Sequence, residues 1–243
     1  MKAKRRFNIW LWVLLCVPCL LASCDHNVHD GEDEGGLSVS LTWADEADQG
    51  TEVKDVKLWI FNANDGSLVE EKHYGNAKEV ASQRFVLPEG SYRILAATNL
   101  TEPFTIGEQT KALTNWNNIQ IGLTNPKDVN HNAYFGVADV KIDNKEGNYV
   151  VQNPVKSVLA ELTIIIENVP KGTEMSGKAL DAAWCLFPTQ KNGDGDYGLP
   201  SIKPTEVEMP TILATESTLK SEVIRLMPTI QGSPASHVYL RLL

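Results

Sequence analysis

The chain has 243 residues and is acidic, with 31 Asp and Glu against 22 Lys and Arg and a formal net charge of −9. Nucleic acid and anionic lipid both call for a positive surface, so this balance excludes a nucleic-acid partner and charge-driven membrane adhesion. The length accommodates two domains of about 100 residues each.

The N-terminus has three parts. Basic residues Lys2, Lys4, Arg5 and Arg6 precede an apolar run from Ile9 to Ala22, interrupted by Pro18, and then Leu21-Ala22-Ser23-Cys24. The run is shorter than the roughly 20 apolar residues a membrane-crossing helix needs, so residues 1–23 read as a signal peptide. Leu21-Ala22-Ser23-Cys24 resembles the bacterial lipoprotein signal. The resemblance implies cleavage between Ser23 and Cys24, lipidation of Cys24, and attachment to a membrane through its acyl chains. Cleavage removes four basic residues and no acid, which takes the net charge from −9 to −13. It also removes Cys16 and Cys19. With Cys24 lipidated, only Cys185 remains, so no intrachain disulfide is possible. Cys185 sits in the apolar run Trp184 to Phe187 and is expected to be a buried, inert thiol.

Residues 24–36 carry five acids and three glycines after Cys24, the composition of a flexible tether. Its His26, His29 and Asp30 have no preformed geometry for a metal, and no cofactor is expected. Acids soon after the lipidated cysteine resemble the surface-export signal of Bacteroidales lipoproteins. No Lys or Arg occurs between Cys24 and Lys54, and the first Arg after the signal is Arg84. A trypsin-like or Arg-specific protease therefore has no site in the tether or in the first strand.

Leu37 to Trp43 alternates apolar and polar, the period of a half-buried strand. Leu58 to Phe61 is apolar on both parities, which suits a central strand covered on both faces. Asp65-Gly66 supplies a tight turn, and Leu68 to Tyr74 returns beside it. Pro88-Glu89-Gly90 is a second turn, followed by the strand Tyr92 to Asn99. Residues 100–133 are polar and aperiodic, with one short helix expected near Gly107 to Leu113. Tyr134 to Ile142 closes a first β-sandwich, residues 37–148. A second, 149–243, is expected to centre on Leu162 to Ile166, the most β-prone run. Further strands are expected near 179–187, 221–227 and 237–243, a small set for a whole sandwich, so either the last strand closes the fold or the domain is incomplete. Asn192-Gly-Asp194-Gly-Asp196 lacks the sixth-position Gly and twelfth-position carboxylate of a calcium loop and reads as a plain turn.

Val56 to Phe61 with the Asn-Asp-Gly turn, then Phe85-Val-Leu87-Pro-Glu-Gly90-Ser-Tyr92-Arg-Ile94-Leu-Ala-Ala, then Tyr134-Phe-Gly136, all behind a lipidated cysteine and an acidic tether, resemble the FimB type of fimbrial lipoprotein of Bacteroidales. These are the anchor and assembly subunits of type V pili. The resemblance implies an all-β chain of two tandem transthyretin-like β-sandwich domains. It implies fimbrial shaft subunits as partners, joined by strand addition, with anchoring to the outer membrane and control of fimbrial length. Shaft subunits of this group are cut after an Arg, whereas this chain has none between Cys24 and its first strand, as suits a fixed end.

No phosphate loop, nucleophile elbow or paired-histidine motif is present, so no enzyme activity is expected. Trp43, Trp59 and Trp184 lie in or near strands and are expected in the core. Trp116, flanked by Asn115 and Asn117, is the exception. As an exposed loop residue it would serve a rival reading, a glycan-binding surface lipoprotein in which Trp116 stacks on sugar or contacts a partner.

Overall fold

The structure, a computed structural model, describes residues 35–49, 51–107, 115–125, 129–201, 204–228 and 237–243. Residues Gly35–Leu243 form one compact unit whose regular structure is almost wholly strand. The first half contributes β1 (Gly36–Trp43), β2 (Lys54–Asn62), β3 (Leu68–Asn76), β4 (Gly90–Thr98), β5 (Phe104–Ile106), β6 (Ile121–Leu123), β7 (Tyr134–Ile142) and β8 (Asn148–Ser157). The second contributes β9 (Ala160–Leu162), β10 (Ile165–Glu167), β11 (Glu174–Ala183), β12 (Cys185–Lys191), β13 (Tyr197–Pro200), β14 (Pro204–Leu213), β15 (Thr218–Lys220), β16 (Ile224–Leu226) and β17 (His237–Leu242). The all-β expectation is met.

Six strands form the main sheet, in the order β1-β8-β7-β4-β2-β3. Its inner strand β2 explains the apolar run on both parities. Trp59 and Phe61 face one core with Leu95 and Phe135. Leu58 and Ile60 face the other with Leu37, Val39 and Ile94. The Asp65-Gly66 turn joins β2 to β3 as expected. Gly66 has φ 74°, and Asp65 accepts from Ser67 N at 2.9 Å and Ser67 Oγ at 2.7 Å. A short helix, α1 (Ala77–Ala81), follows. The Asn76 side chain accepts from Lys78 N and Glu79 N, and Glu79 accepts in return from Gly75 N and Asn76 Nδ2. This reciprocal cap aims Val80 into the second core. At the start of β4, Tyr92 donates to Pro88 O at 2.8 Å, a tyrosine corner that fixes the Pro-Glu-Gly turn.

Two boundaries differ from expectation. Asn148–Ser157, expected to open the second domain, is a strand of the first sheet: β8 pairs in parallel with β1 and antiparallel with β7. The β12–β13 hairpin also returns to the first sandwich. It joins β6 and β5 in a four-stranded sheet ordered β13-β12-β6-β5 and places Leu186 against Trp59, Phe61 and Phe135. The first sandwich is therefore assembled from both halves of the sequence.

The second unit is the remainder. Its sheet is ordered β14-β11-β17, with the two-stranded pairs β10-β15 and β16-β9 beside it. Leu162 to Ile166, expected to be one central strand, is divided. Leu162 ends β9 opposite Ile224, and Ile165 starts β10 opposite Lys220. Between them Ile164 N takes its hydrogen bond from outside any strand, donating to Ser221 Oγ at 2.9 Å. Two small cores result, one around Ala179, Val207 and Met209 and one around Met175, Ala214 and Leu219.

Candidate functional site

β1 is bound on both sides. Over its full length it runs in register with β8, from Gly36 opposite Asn148 to Trp43 opposite Val155. On its other side Leu37 and Phe85 exchange both backbone hydrogen bonds at 2.9 Å. Leu37 and Val39 are buried, and the Trp43 ring meets Tyr134 edge-on at 4.9 Å. Gly36 N donates to Gly147 O, and a Cβ on Gly35 would collide with the Glu146 backbone. The glycines that close the tether in the sequence therefore already belong to the fold. Tyr134 Oη donates to Asp48 at 3.2 Å. Burial raises the Asp48 pKa, the Tyr134 hydrogen bond opposes that, and the neighbouring charges of Asp45 and Glu161 add to it.

The sheet edges differ in character. β3, the far edge of the main sheet, carries Glu70, Glu71, Lys72 and His73, with Lys72 paired to Glu70 and His73 to Asp55. A charged edge of this kind resists further pairing. The second unit is the opposite. Among the described residues, nine of the twelve large apolar side chains that stand exposed lie beyond residue 160. Leu213 on β14 is 61% exposed and Leu242 on β17 is 47% exposed, and these are the two outer strands of one sheet.

Trp116 corrects the sequence reading. It is 3% exposed, edge-on to Phe61 at 5.4 Å and to Tyr197 at 6.0 Å, with the Arg93 guanidinium 5.4 Å from its ring. The Trp116 backbone N–H donates to Gly66 O at 2.8 Å, so this residue ties the β2–β3 turn to the segment that leads into β6. A buried ring cannot stack on a sugar, and the glycan reading loses its residue. Trp184 is reversed in the other sense: expected in the core, it is 37% exposed. Cys185 is buried, with Sγ 3.7 Å from Gln120 Oε1. The Asn192–Asp196 loop is the plain turn expected, Asn192 Oδ1 accepting from Asp194 N and Asp196 N. Ser23, Cys24 and the helix expected near Gly107 to Leu113 lie outside the described residues, Gly107 apart. Among the described residues no group of three or more His, Cys, Asp or Glu is placed to hold a metal ion, and no helix is long and apolar enough to cross a membrane.

Stacked sheets with one charged edge and one apolar edge define a β-rich protein whose distinctive surface is its strands. The chain belongs to the fimbrillin-A associated anchor proteins, Mfa1 and Mfa2, whose family model matches residues 24–235. It is therefore a fimbria-associated protein, as the resemblance implied. The solved structure of the fimbrial anchor protein Mfa2 from Porphyromonas gingivalis is similar, with 15% identity over 86% of this chain and 77% of that one and a TM-score of 0.58. A candidate adhesin from Bacteroides thetaiotaomicron gives a TM-score of 0.60 at 13% identity, covering 85% and 75% of the two chains. A candidate polysaccharide-binding protein from the same species gives 0.57 at 12% identity, covering 85% and 76%. At these identities the likeness is one of fold. No curated protein matches the chain by sequence.

Proposed function

We propose that the chain is a non-enzymatic surface lipoprotein that anchors a fimbrial shaft to the outer membrane and takes part in its assembly or length control. The family match carries this reading, because its first matched residue is Cys24, the residue the lipoprotein signal would lipidate. Two acyl chains or more on Cys24 hold firmly, at about 0.8 kcal/mol for each buried CH₂. The acidic tether, lacking Lys and Arg, offers an Arg-specific protease no site ahead of β1. Shaft subunits then join by strand addition, and the outer strands β14, which exposes Leu213 beside Glu206 and Glu208, and β17, which exposes Val238, Tyr239, Leu240 and Leu242, are the surface suited to receive or offer a strand.

Growth of cells with a labelled fatty acid tests the anchor. The wild-type chain should take up label and fractionate with the outer membrane, and Cys24→Ala should do neither. Deleting the gene should release or lengthen fimbriae. Unchanged fimbriae, or a mature N-terminus beyond Cys24, would overturn the reading.

A further inference from the structure

A cavity of about 470 Å³ opens where the β7–β8 pair meets the β12–β13 hairpin. That volume lies in the range of small-molecule sites, roughly 300–1,000 Å³. Phe135, Leu186, Leu199, Pro200 and Pro228 supply apolar walls. One cation reaches inside. Lys156 stands directly opposite Phe135 in the β7–β8 register, which brings its ammonium to 5.4 Å from the ring centroid. Lys156 is half-buried. Burial pushes its pKa down, and the charge of Asp196 pulls the other way. Among the described residues no carboxylate lies within ion-pair distance of it.

Two features fit an occupant. Gly198, at φ 104°, forms part of the wall. A Cβ there would sit 2.6 Å from Phe135 Cζ and 3.5 Å from Lys156 Cε, so only glycine lets the hairpin close down beside the ring and the ammonium. The other charged lining group is Asp194, on the exposed tip of the hairpin. Water screens the exposed carboxylates of Asp194 and nearby Asp196 more than a half-buried ammonium, so the cation is the stronger charge inside the cavity.

We propose that this cavity binds a small carboxylic acid with an apolar body, its carboxylate on Lys156 Nζ and its hydrocarbon against Phe135, Leu186 and Pro200. The pairing is a charge-assisted hydrogen bond in a partly dry site, the stronger class of such bonds. It stands independently of the fimbrial reading.

Calorimetric titration of the full chain in detergent tests it, with hexanoate and hexan-1-ol as probes. Hexanoate should bind about tenfold or more tightly than the alcohol, the difference expected of a hydrogen bond to a charged partner. Lys156→Met should abolish that preference and leave the alcohol unaffected, and Lys156→Arg should keep it. A blocked dipeptide whose only carboxylate is a glutamate side chain separates the sources. Tighter binding of hexanoate assigns a free acid, tighter binding of the dipeptide assigns a side chain of a protein partner, and either supports carboxylate recognition. Should Lys156→Met fail to fold, the ¹³Cε signal of Lys156 in the unaltered chain provides the second measurement. It should shift with hexanoate and stay in place with the alcohol. Equal binding of the two probes, no binding at millimolar concentration, or an unmoved signal would overturn the proposal.

Discussion

Trp116 shows how a single side chain can mislead. Its polar neighbours Asn115 and Asn117 describe the local surface, whereas its burial is decided by Phe61 and Tyr197, both distant in sequence. Trp116→Ala should cost about 3–5 kcal/mol, the range for deleting a large buried aromatic, measured by denaturant unfolding. A loss within experimental error would mean that the ring is not packed as described. Asp48 carries a second expectation at this scale. Its folded pKa is raised, first by burial, so the fold favours the protonated acid. The stabilisation is complete below the ordinary carboxylate range and is lost as pH rises through the folded pKa. Near neutral pH the ionised group is a net cost. Asp48→Asn keeps an acceptor for Tyr134, so it should raise stability at pH 7 by no more than about 1 kcal/mol. That gain should disappear in acid, and a gain that persisted at low pH would contradict the assigned cause.

Among the elements, local signals were legible and returning ones were not. The Asp65-Gly66 hairpin, the Pro88-Glu89-Gly90 corner and β7 could be read because turn chemistry and strand period are encoded within a few residues. Sequence alone places β8 in the other domain because Asn144 to Asn148 is a turn-rich break, and a turn looks alike whether it ends a domain or only a strand. The β12–β13 hairpin could not be placed at all, since nothing in residues 185–200 names β6 as its partner. The candidate surface divides in the same way: β14 and β17 are outer strands because both pair with β11, and nothing within either strand's own residues names that partner. Close approach leaves one readable trace, in glycine. A Cβ on Gly136 would lie 2.6 Å from Pro154 O and clash with the Asn153 side chain, so only glycine lets β7 accept β8. Gly136→Ala should destabilise by about 3 kcal/mol, the upper end of the range for overpacking. It should also loosen β1, which hangs on β8, and hydrogen exchange at Val39 and Leu41 should rise with it.

For the molecule as a whole, apolar exposure is gathered on the second unit and charge on β3. A Lys at Leu213 or Leu242 should leave stability within about 0.5 kcal/mol, as surface changes do, while reducing the recovery of fimbrial subunits with the chain. Unreduced recovery would place the contact elsewhere. The parallel pairing of β1 and β8 has a mechanical consequence. The chain enters β1 at its N-terminal end, and it leaves β8 at its C-terminal end toward the second unit. A pull between those two points drags the two parallel strands in opposite directions along their length. Every rung of the ladder from Gly36 to Trp43 then takes the strain together, in shear. An antiparallel pair joined at one end would instead open one rung at a time. The resistance of this joint to tension should thus exceed what its equilibrium stability suggests, in the direction along which a load would act between the start of β1 and the end of β8.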